Sequence, residues 1–299
     1  LARDLRSLGL YTARSLSYDG VEYELIEHQL TDEQRHIYDS YAAAFAVIHG
    51  NLDAAMEAAN ITGSEGTLNR QAKSAARSAF ESTKQRFFGH LLTSMKTPTL
   101  IRSIEADLEA GHAAVIQIVS TGEALMERRL SEIPTEEWND ISVDVTPREY
   151  VGSYLQHSFP VQLYEPFTDG EGNLSSRPVF RDGQPVECRE AVARRDEMLE
   201  QLGSLPPVPG ALDQIVQRFG TDMVAEVTGR SRRIVRKGDG ASARLAVENR
   251  APSANLAETS AFMDDQKRVL IFSDAGGTGR SYHAELSAKN QRLRVHYLL

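Results

Sequence analysis

His112-Ala113-Ala114-Val115-Ile116-Gln117-Ile118-Val119, followed at once by Ser120-Thr121-Gly122-Glu123-Ala124, decides the fold class. The apolar run is short and almost unbroken. A sheet with one wet face would alternate apolar and polar residues, so this run predicts a strand covered on both faces by helices. Just upstream, Leu100, Ile101, Ile104 and Leu108 recur at helical spacing and stop before Gly111, a suitable C-cap. Two further runs have the same character. Arg268-Val269-Leu270-Ile271-Phe272 is closed by Ser273-Asp274-Ala275-Gly276-Gly277-Thr278-Gly279-Arg280, and Arg294-Val295-His296-Tyr297-Leu298-Leu299 follows. Helix, buried strand and small-residue turn in succession imply an α/β fold with a parallel sheet. Ligands of such sheets sit at the carboxyl ends of strands, which singles out the turns after Val119 and Phe272.

Outward from this core the chain divides into four parts. Residues 1–84 form a lead-in, in which Val21 to Leu30 roughly alternates and reads as a half-buried strand. Thr31-Asp32-Glu33-Gln34 then fits a capping box, and Ile37, Tyr38, Tyr41, Phe45 and Ile48 give the next helix one buried face. The acidic pair could suggest a magnesium motif, but it follows a polar Gln29 rather than a buried strand, and the capping reading fits better. Residues 52–92 are Ala-rich and helical, broken near Ile61 to Gly66. Residues 85–130 begin the α/β unit, with a break expected at Thr97-Pro98 and a new helix after it. Residues 131–259 read as a long insertion of mixed α and β character. Prolines punctuate it, Thr168 to Asn173 is an exposed turn, Arg189 to Leu202 is a helix, and Leu205 to Gly210 is a stiff link. Leu212, Ile215, Val216 and Phe219 mark a short amphipathic helix, and Val224 to Arg230 reads as another, capped by Gly229. Residues 260–299 return to the α/β unit.

Composition removes several function classes. The chain has 299 residues, a formal charge of −9 and one cysteine, Cys188. That excludes a disulfide scaffold and a Cys-rich zinc module, and points to a reducing cytoplasm. The eight histidines are scattered without a metal-binding spacing, and no G-x-x-x-x-G-K-[ST] phosphate loop occurs. No apolar run is long enough to span a membrane, and the first residues do not form a signal peptide. Both ends fall inside patterned sequence, so the chain is expected to be a piece of something longer.

Three places can carry chemistry. The glycine turn from Ser273 to Arg280 lets backbone approach a phosphate or ribose at a strand end, although its spacing is not that of a dinucleotide fingerprint and a tight structural turn also explains it. Arg230-Ser231-Arg232-Arg233-Ile234-Val235-Arg236-Lys237 opens the one basic stretch. From Arg230 to Arg250 seven basic residues face two acidic ones, a local +5 that suits nucleic-acid phosphates or else a solvated hairpin. Ser120-Thr121-Gly122-Glu123 closes the first strand and caps the next helix.

At these motifs the chain resembles the strawberry notch-like helicases, a branch of superfamily 2 that includes large bacterial and plasmid-borne proteins. The likeness runs through Gly9 to Glu24, Gln85 to Ala124, Val224 to Arg230, and Phe262 to Ser281 with Lys289 to His296. The resemblance implies an incomplete RecA-like sheet with a helical lead-in and an insertion. It makes Gly9 to Glu24 the crossing between two motor lobes, puts Thr121, Gly122 and Glu123 at motif IV, and makes Ala275 to Gly279 resemble motif V. Gly276, Gly277, Gly279 and Arg280 would then face nucleotide and nucleic acid. By the same resemblance the ATP- and Mg²⁺-binding motifs precede Leu1, and motif VI with its arginine finger follows Leu299. These residues alone would then hydrolyse no ATP, while a parent protein would act on DNA or RNA with a second lobe as partner. The competing expectations are a non-catalytic protein-interaction domain on a degenerate lobe, and a Rossmann-like transferase, which the glycine turn fits poorly.

Overall fold

The apolar runs around Val115 and Leu270 are neighbours in one parallel sheet. The computed structural model describes residues 2–9, 20–119, 121, 123–131, 133–139, 146–238, 244–251, 253–273, 277, 281–284 and 286–299. After a short helix α1 (Ala2–Ser7) come α2 (Asp32–Ala58), a small hairpin of β1 (Thr62–Gly63) and β2 (Gly66–Thr67), and the long α3 (Arg70–Glu109). Strand β3 (Ala113–Gln117) leads to α4 (Glu123–Ser131), a 3-10 turn at Thr135–Asn139, and α5 (Arg148–His157). Two hairpins follow, β4 (Tyr164–Thr168) with β5 (Leu174–Pro178) and β6 (Phe180–Arg181) with β7 (Gln184–Pro185), then α6 (Arg189–Gly203) and α7 (Ala211–Phe219). The chain finishes with β8 (Val224–Val227), the hairpin of β9 (Arg232–Lys237) and β10 (Arg244–Asn249), α8 (Ala254–Met263), β11 (Val269–Phe272) and β12 (Arg294–Leu298).

The parallel sheet has the order β12-β3-β11-β8. Leu270 lies opposite Val115 on one side and Ala225 on the other, and Val295 lies opposite Ala114. One face packs Ala114, Ile116, Val224, Val269 and Ile271 against Leu100 and Ile104 of α3 and Leu212, Ile215 and Val216 of α7. The other face packs Val115, Ala225, Val227 and Leu270 against Phe262 of α8 and Tyr282. Burial on both faces is the reason these strands read as unbroken apolar runs. The expected mixed α/β class with a parallel sheet is the observed one.

A second core lies in the helical part. Tyr41, Phe45, Ile48 and Leu52 of α2 meet Phe80, Phe87 and Leu91 of α3, and α5 and α6 close the cluster with Tyr154, Leu155, Ala191 and Met198. The capping box is present: the Thr31 hydroxyl accepts from the Gln34 backbone N–H, and Gln34 Oε1 accepts from the Thr31 N–H at 3.1 Å.

Three local expectations give way. Val224 to Val227 is a strand rather than a helix; a four-residue apolar run is too short to carry a period, and its neighbours on both faces decide it. Together with α7, this strand places the last part of 131–259 in the sheet layer, so the interruption of the α/β unit is shorter than expected. The break at Thr97-Pro98 is absent, because α3 continues through Pro98. Proline removes one N–H and crowds the carbonyl four residues back. That carbonyl, on Ser94, accepts from Gln214 Nε2 at 3.4 Å, the next one, on Met95, accepts from Gln34 Nε2 at 3.0 Å, and Thr97 Oγ1 donates to the Thr93 carbonyl at 3.0 Å. Finally, Val21 to Leu30, expected as a half-buried strand, forms no strand and joins no sheet among the described residues, and Val21 to Glu27 are exposed.

Candidate functional site

The carboxyl end of β3 opens onto a cleft between the helical core and the sheet layer. A cavity of about 340 Å³ fills it, walled by Arg86 and His90 of α3, Ile118, Thr121, Tyr150 of α5, and Gly210 to Asp213 at the start of α7. Its lining is mainly apolar, with polar groups at the margins. His90 stacks on Tyr150 with ring centroids 4.8 Å apart, and its Nε2 lies 3.0 Å from the tyrosine hydroxyl. Burial, and secondarily the Arg86 guanidinium, holds the His90 pKa below the usual imidazole value. The ring is therefore suited to stay neutral and to accept from the Tyr150 hydroxyl. Thr146 also lines the cavity; it is buried, and its hydroxyl has no partner among the described residues.

Beside this cleft is a buried ion network. Glu226 stands in the middle of β8 and, like Arg230, is wholly buried. Arg230 donates from Nε to Glu226 Oε1 at 2.6 Å, from Nη2 to Oε2 at 3.0 Å, and from Nη1 to Asp213 Oδ1 at 2.9 Å. Thr228 Oγ1 donates to the same Glu226 at 2.6 Å. Arg250 donates to the backbone carbonyls of Glu226 at 2.6 Å and Arg230 at 2.7 Å. Burial alone would raise the Glu226 pKa; Arg230, Arg250 and Thr228 outweigh it and leave the carboxyl below its ordinary value. For Arg230, burial favours loss of the proton, but Asp213 and Glu226 more than offset it and raise its pKa.

The basic stretch therefore divides. Arg230 belongs to this network. Arg233 is buried as well, bonding Glu248 at 3.1 Å and lying 3.7 Å from Glu226. Arg232 pairs with Glu127 and sits 4.9 Å over the Trp138 ring. Arg236 and Lys237 are exposed on β9. The hairpin expected from the sequence is present, with Arg232 and Arg233 paired to carboxylates and Arg236, Lys237 and Arg244 exposed.

The two strands that end in the turns singled out by the sequence are neighbours, and the Ile118 N–H donates to the Phe272 carbonyl at 3.0 Å. Thr121 is in the cavity wall, and Glu123 Oε1 accepts the Ser231 backbone N–H at 3.1 Å. Gly229 makes this approach possible, since a Cβ there would lie 3.3 Å from Glu123 Oε2. Gly277 donates its N–H to the Ser273 carbonyl at 3.0 Å, and a Cβ on it would lie 3.1 Å from the Phe272 ring. Gly122, Gly276, Gly279 and Arg280 lie outside the described residues, as does most of Gly9 to Glu24. Among the described residues no group of three His, Cys, Asp or Glu side chains could hold a metal ion, and no helix is long and apolar enough to cross a membrane.

Sequence reasoning missed the cavity wall on α3 and α5, because Arg86, His90 and Tyr150 come together only through tertiary packing. It also missed Glu226 as the hub, although one signal was available: a lone carboxylate inside Val224-Ala225-Glu226-Val227 needs a buried cation.

Residues 210–299 match the family described as the C-terminal domain on Strawberry notch homologue, and residues 1–40 match the P-loop containing NTP hydrolase pore-1 family. The whole chain is 26% identical to rat protein strawberry notch homolog 1, covering 28% of it, and 24% identical to protein FORGETTER 1 of Arabidopsis thaliana, covering 31% of it. A part comprising 42% of the chain is 37% identical to Drosophila melanogaster protein strawberry notch, covering 8% of that protein. The chain thus spans less than a third of the length of these curated relatives. No solved structure matches it.

Proposed function

We propose that this strawberry notch-like chain is the second motor lobe of an ATP-dependent helicase or translocase acting on DNA or RNA in the cytoplasm, with a superfamily 2 arrangement. The observation that carries the reading is that Thr121 and Glu123, Gly229 with Arg230, and Gly277 follow three neighbouring parallel strands, β3, β8 and β11, at one carboxyl edge, with Glu123 holding the Ser231 backbone. That edge is where α/β sheets take their ligands. The match of residues 1–40 to a P-loop hydrolase family supports a nucleotide-binding lobe as the partner of this one.

The residues present fit a contributing role. Gly277 lets the chain after β11 pack closely on the Phe272 ring, which a Cβ would meet at 3.1 Å. ATP with Mg²⁺, held mainly by the other lobe, supplies the phosphoryl chemistry in this reading. Thr121, Glu123 and the Gly276 to Arg280 turn orient this lobe against it. Glu123 holds the Ser231 backbone, which fixes the start of the β9-β10 hairpin relative to α4. The exposed Arg236 and Lys237 supply phosphate contacts.

Two measurements test this. In the longer protein, Gly277→Asp is expected to lower nucleic-acid-stimulated ATPase activity at least tenfold while leaving the thermal midpoint within a few degrees; unchanged stimulation counts against the motif V role. Neutralising Arg236 and Lys237 together should flatten the slope of log K against log salt by about 1.4 on a single strand, roughly 0.7 for each phosphate left without its cation. A slope identical to the parent's removes the hairpin from the interface.

The internal pairing of Arg230, Arg233 and Arg250 favours a second reading, in which the lobe serves as a protein-interaction domain and the hairpin is purely architectural. Salt-independent association with nucleic acid, or none at all, would select it.

A further inference from the structure

The segment before α2 has an unusual combination of properties. From Val21 to Gln29 the chain forms neither helix nor strand, and among the described residues it makes no backbone hydrogen bond and pairs with no strand. Its sequence nevertheless alternates as that of a sheet strand does: Val21, Tyr23 and Leu25, 64%, 97% and 82% exposed, are separated by Glu22 and Glu24, which are exposed too. In strand conformation the three apolar residues share one face, and left bare beside unpaired amides they are a poor arrangement in water.

The far end of this segment is not loose. His28 Nδ1 lies 2.8 Å from Thr99 Oγ1 and its Nε2 lies 2.9 Å from Gln34 Oε1. Gln34 in turn donates to the Met95 carbonyl, one of the carbonyls loosened by Pro98. Leu30 packs on the helical core. The strand is therefore anchored at the proline site of α3, where the helical core passes into the sheet layer, and projects from there with its apolar face uncovered.

The geometry points to residues 20–27 as a strand that completes the sheet of the P-loop domain, adding to its edge through backbone hydrogen bonds with Val21, Tyr23 and Leu25 facing that domain's core. The occupant is assigned by the match of residues 1–40 to the P-loop hydrolase family: this stretch shares sequence with that domain, while its anchoring to the rest of the chain runs through His28 and Leu30. Strand addition satisfies both of its open requirements at once, the unpaired amides and the bare apolar face. The His28 contacts then become a latch that ties the edge of one lobe to α3 of the other. This inference rests on the two-lobe reading above.

Hydrogen exchange on the longer protein that carries the P-loop domain tests it. The amides of Tyr23 to Ile26 should exchange on the order of 100-fold or more slowly than in an unstructured peptide, and Tyr23→Asp should abolish that protection locally. Exchange at the peptide rate in a protein that still hydrolyses ATP overturns the strand assignment and leaves the motor reading intact. Protection of the segment in a protein without ATPase activity does the opposite. Should Tyr23→Asp fail to fold, His28→Ala serves as the second variant, with faster exchange expected at residues 26–30 and unchanged exchange there counting against the latch.

Discussion

Glu226→Gln is expected to lower folding stability by about 3–5 kcal/mol, the usual result of removing one partner from a buried ion cluster. The charge left behind sets the size. Arg230 and Arg250 stay in the interior, and a neutral amide compensates neither; Arg230 retains only Asp213, which sits at the margin of the cavity. Urea unfolding monitored by far-ultraviolet dichroism measures the loss, and a change below 1 kcal/mol would mean that the network is already solvated. The same network has a pH signature. The Glu226 pKa is lowered in the folded state, so its contribution is complete above the ordinary carboxyl value of 4.5 and is lost as pH falls below that. The stability gap between parent and variant should therefore close under acid conditions and remain constant from pH 6 upward.

Phe87→Ala should be nearly as damaging, about 3–5 kcal/mol. The ring is fully buried, 4.6 Å from Tyr41, 5.2 Å from Phe45 and 5.2 Å from Phe88 between centroids. The three rings that surround it cannot close over the space it leaves without abandoning their own contacts. Tyr41 also donates its hydroxyl to the Pro206 carbonyl at 2.8 Å, and burial has pushed its pKa up to about 12, offset in part by Arg148. A shift of the Tyr41 ring thus strains the link that leads into α7. Thermal unfolding of the variant checks this, with Phe180→Ala, at an exposed ring on a hairpin, as the control expected to change little. Equal losses in the two variants would show that the helical core is not tightly packed.

Unbroken apolar runs made β3 and β11 legible because burial on both faces leaves that record, as at Val115 and Leu270. The run through Val295 is also a strand, but it lies at the sheet edge and is half-buried or exposed, with Leu298 81% exposed, so the expected cover on both faces is not found there. The capping box was legible for a different reason: it is local, settled by Thr31 and Gln34 within one turn. What escaped was decided by distant partners. Val224 to Val227 is a strand because β11 lies beside it, and Pro98 sits within a helix because Gln214 and Gln34 supply donors from elsewhere in the chain. The same holds for the site. Glycines and charges announced Gly229, Gly277 and Arg230, but their meaning differed from their appearance: Gly229 makes room for a carboxylate, and Arg230 answers one. Of the cavity only Thr121 had a sequence signal, since the rest of its wall is drawn largely from helices that are remote in the chain. Val21 to Leu25 carried a true strand pattern without any partner among the described residues.

Helix α3 belongs to both cores, giving Phe80 and Phe87 to one and Leu100 and Ile104 to the other. Its 40 residues make a rod about 60 Å long. Because the carbonyls near Pro98 regain donors, the rod has a bonded joint where a hinge would otherwise form. It behaves as a lever: about one degree of tilt at its first turn displaces its last by about 1 Å. The sheet layer at that end therefore registers any tilt imposed on the helical core, and a strain applied there arrives at β3 as a displacement rather than dissipating along the way.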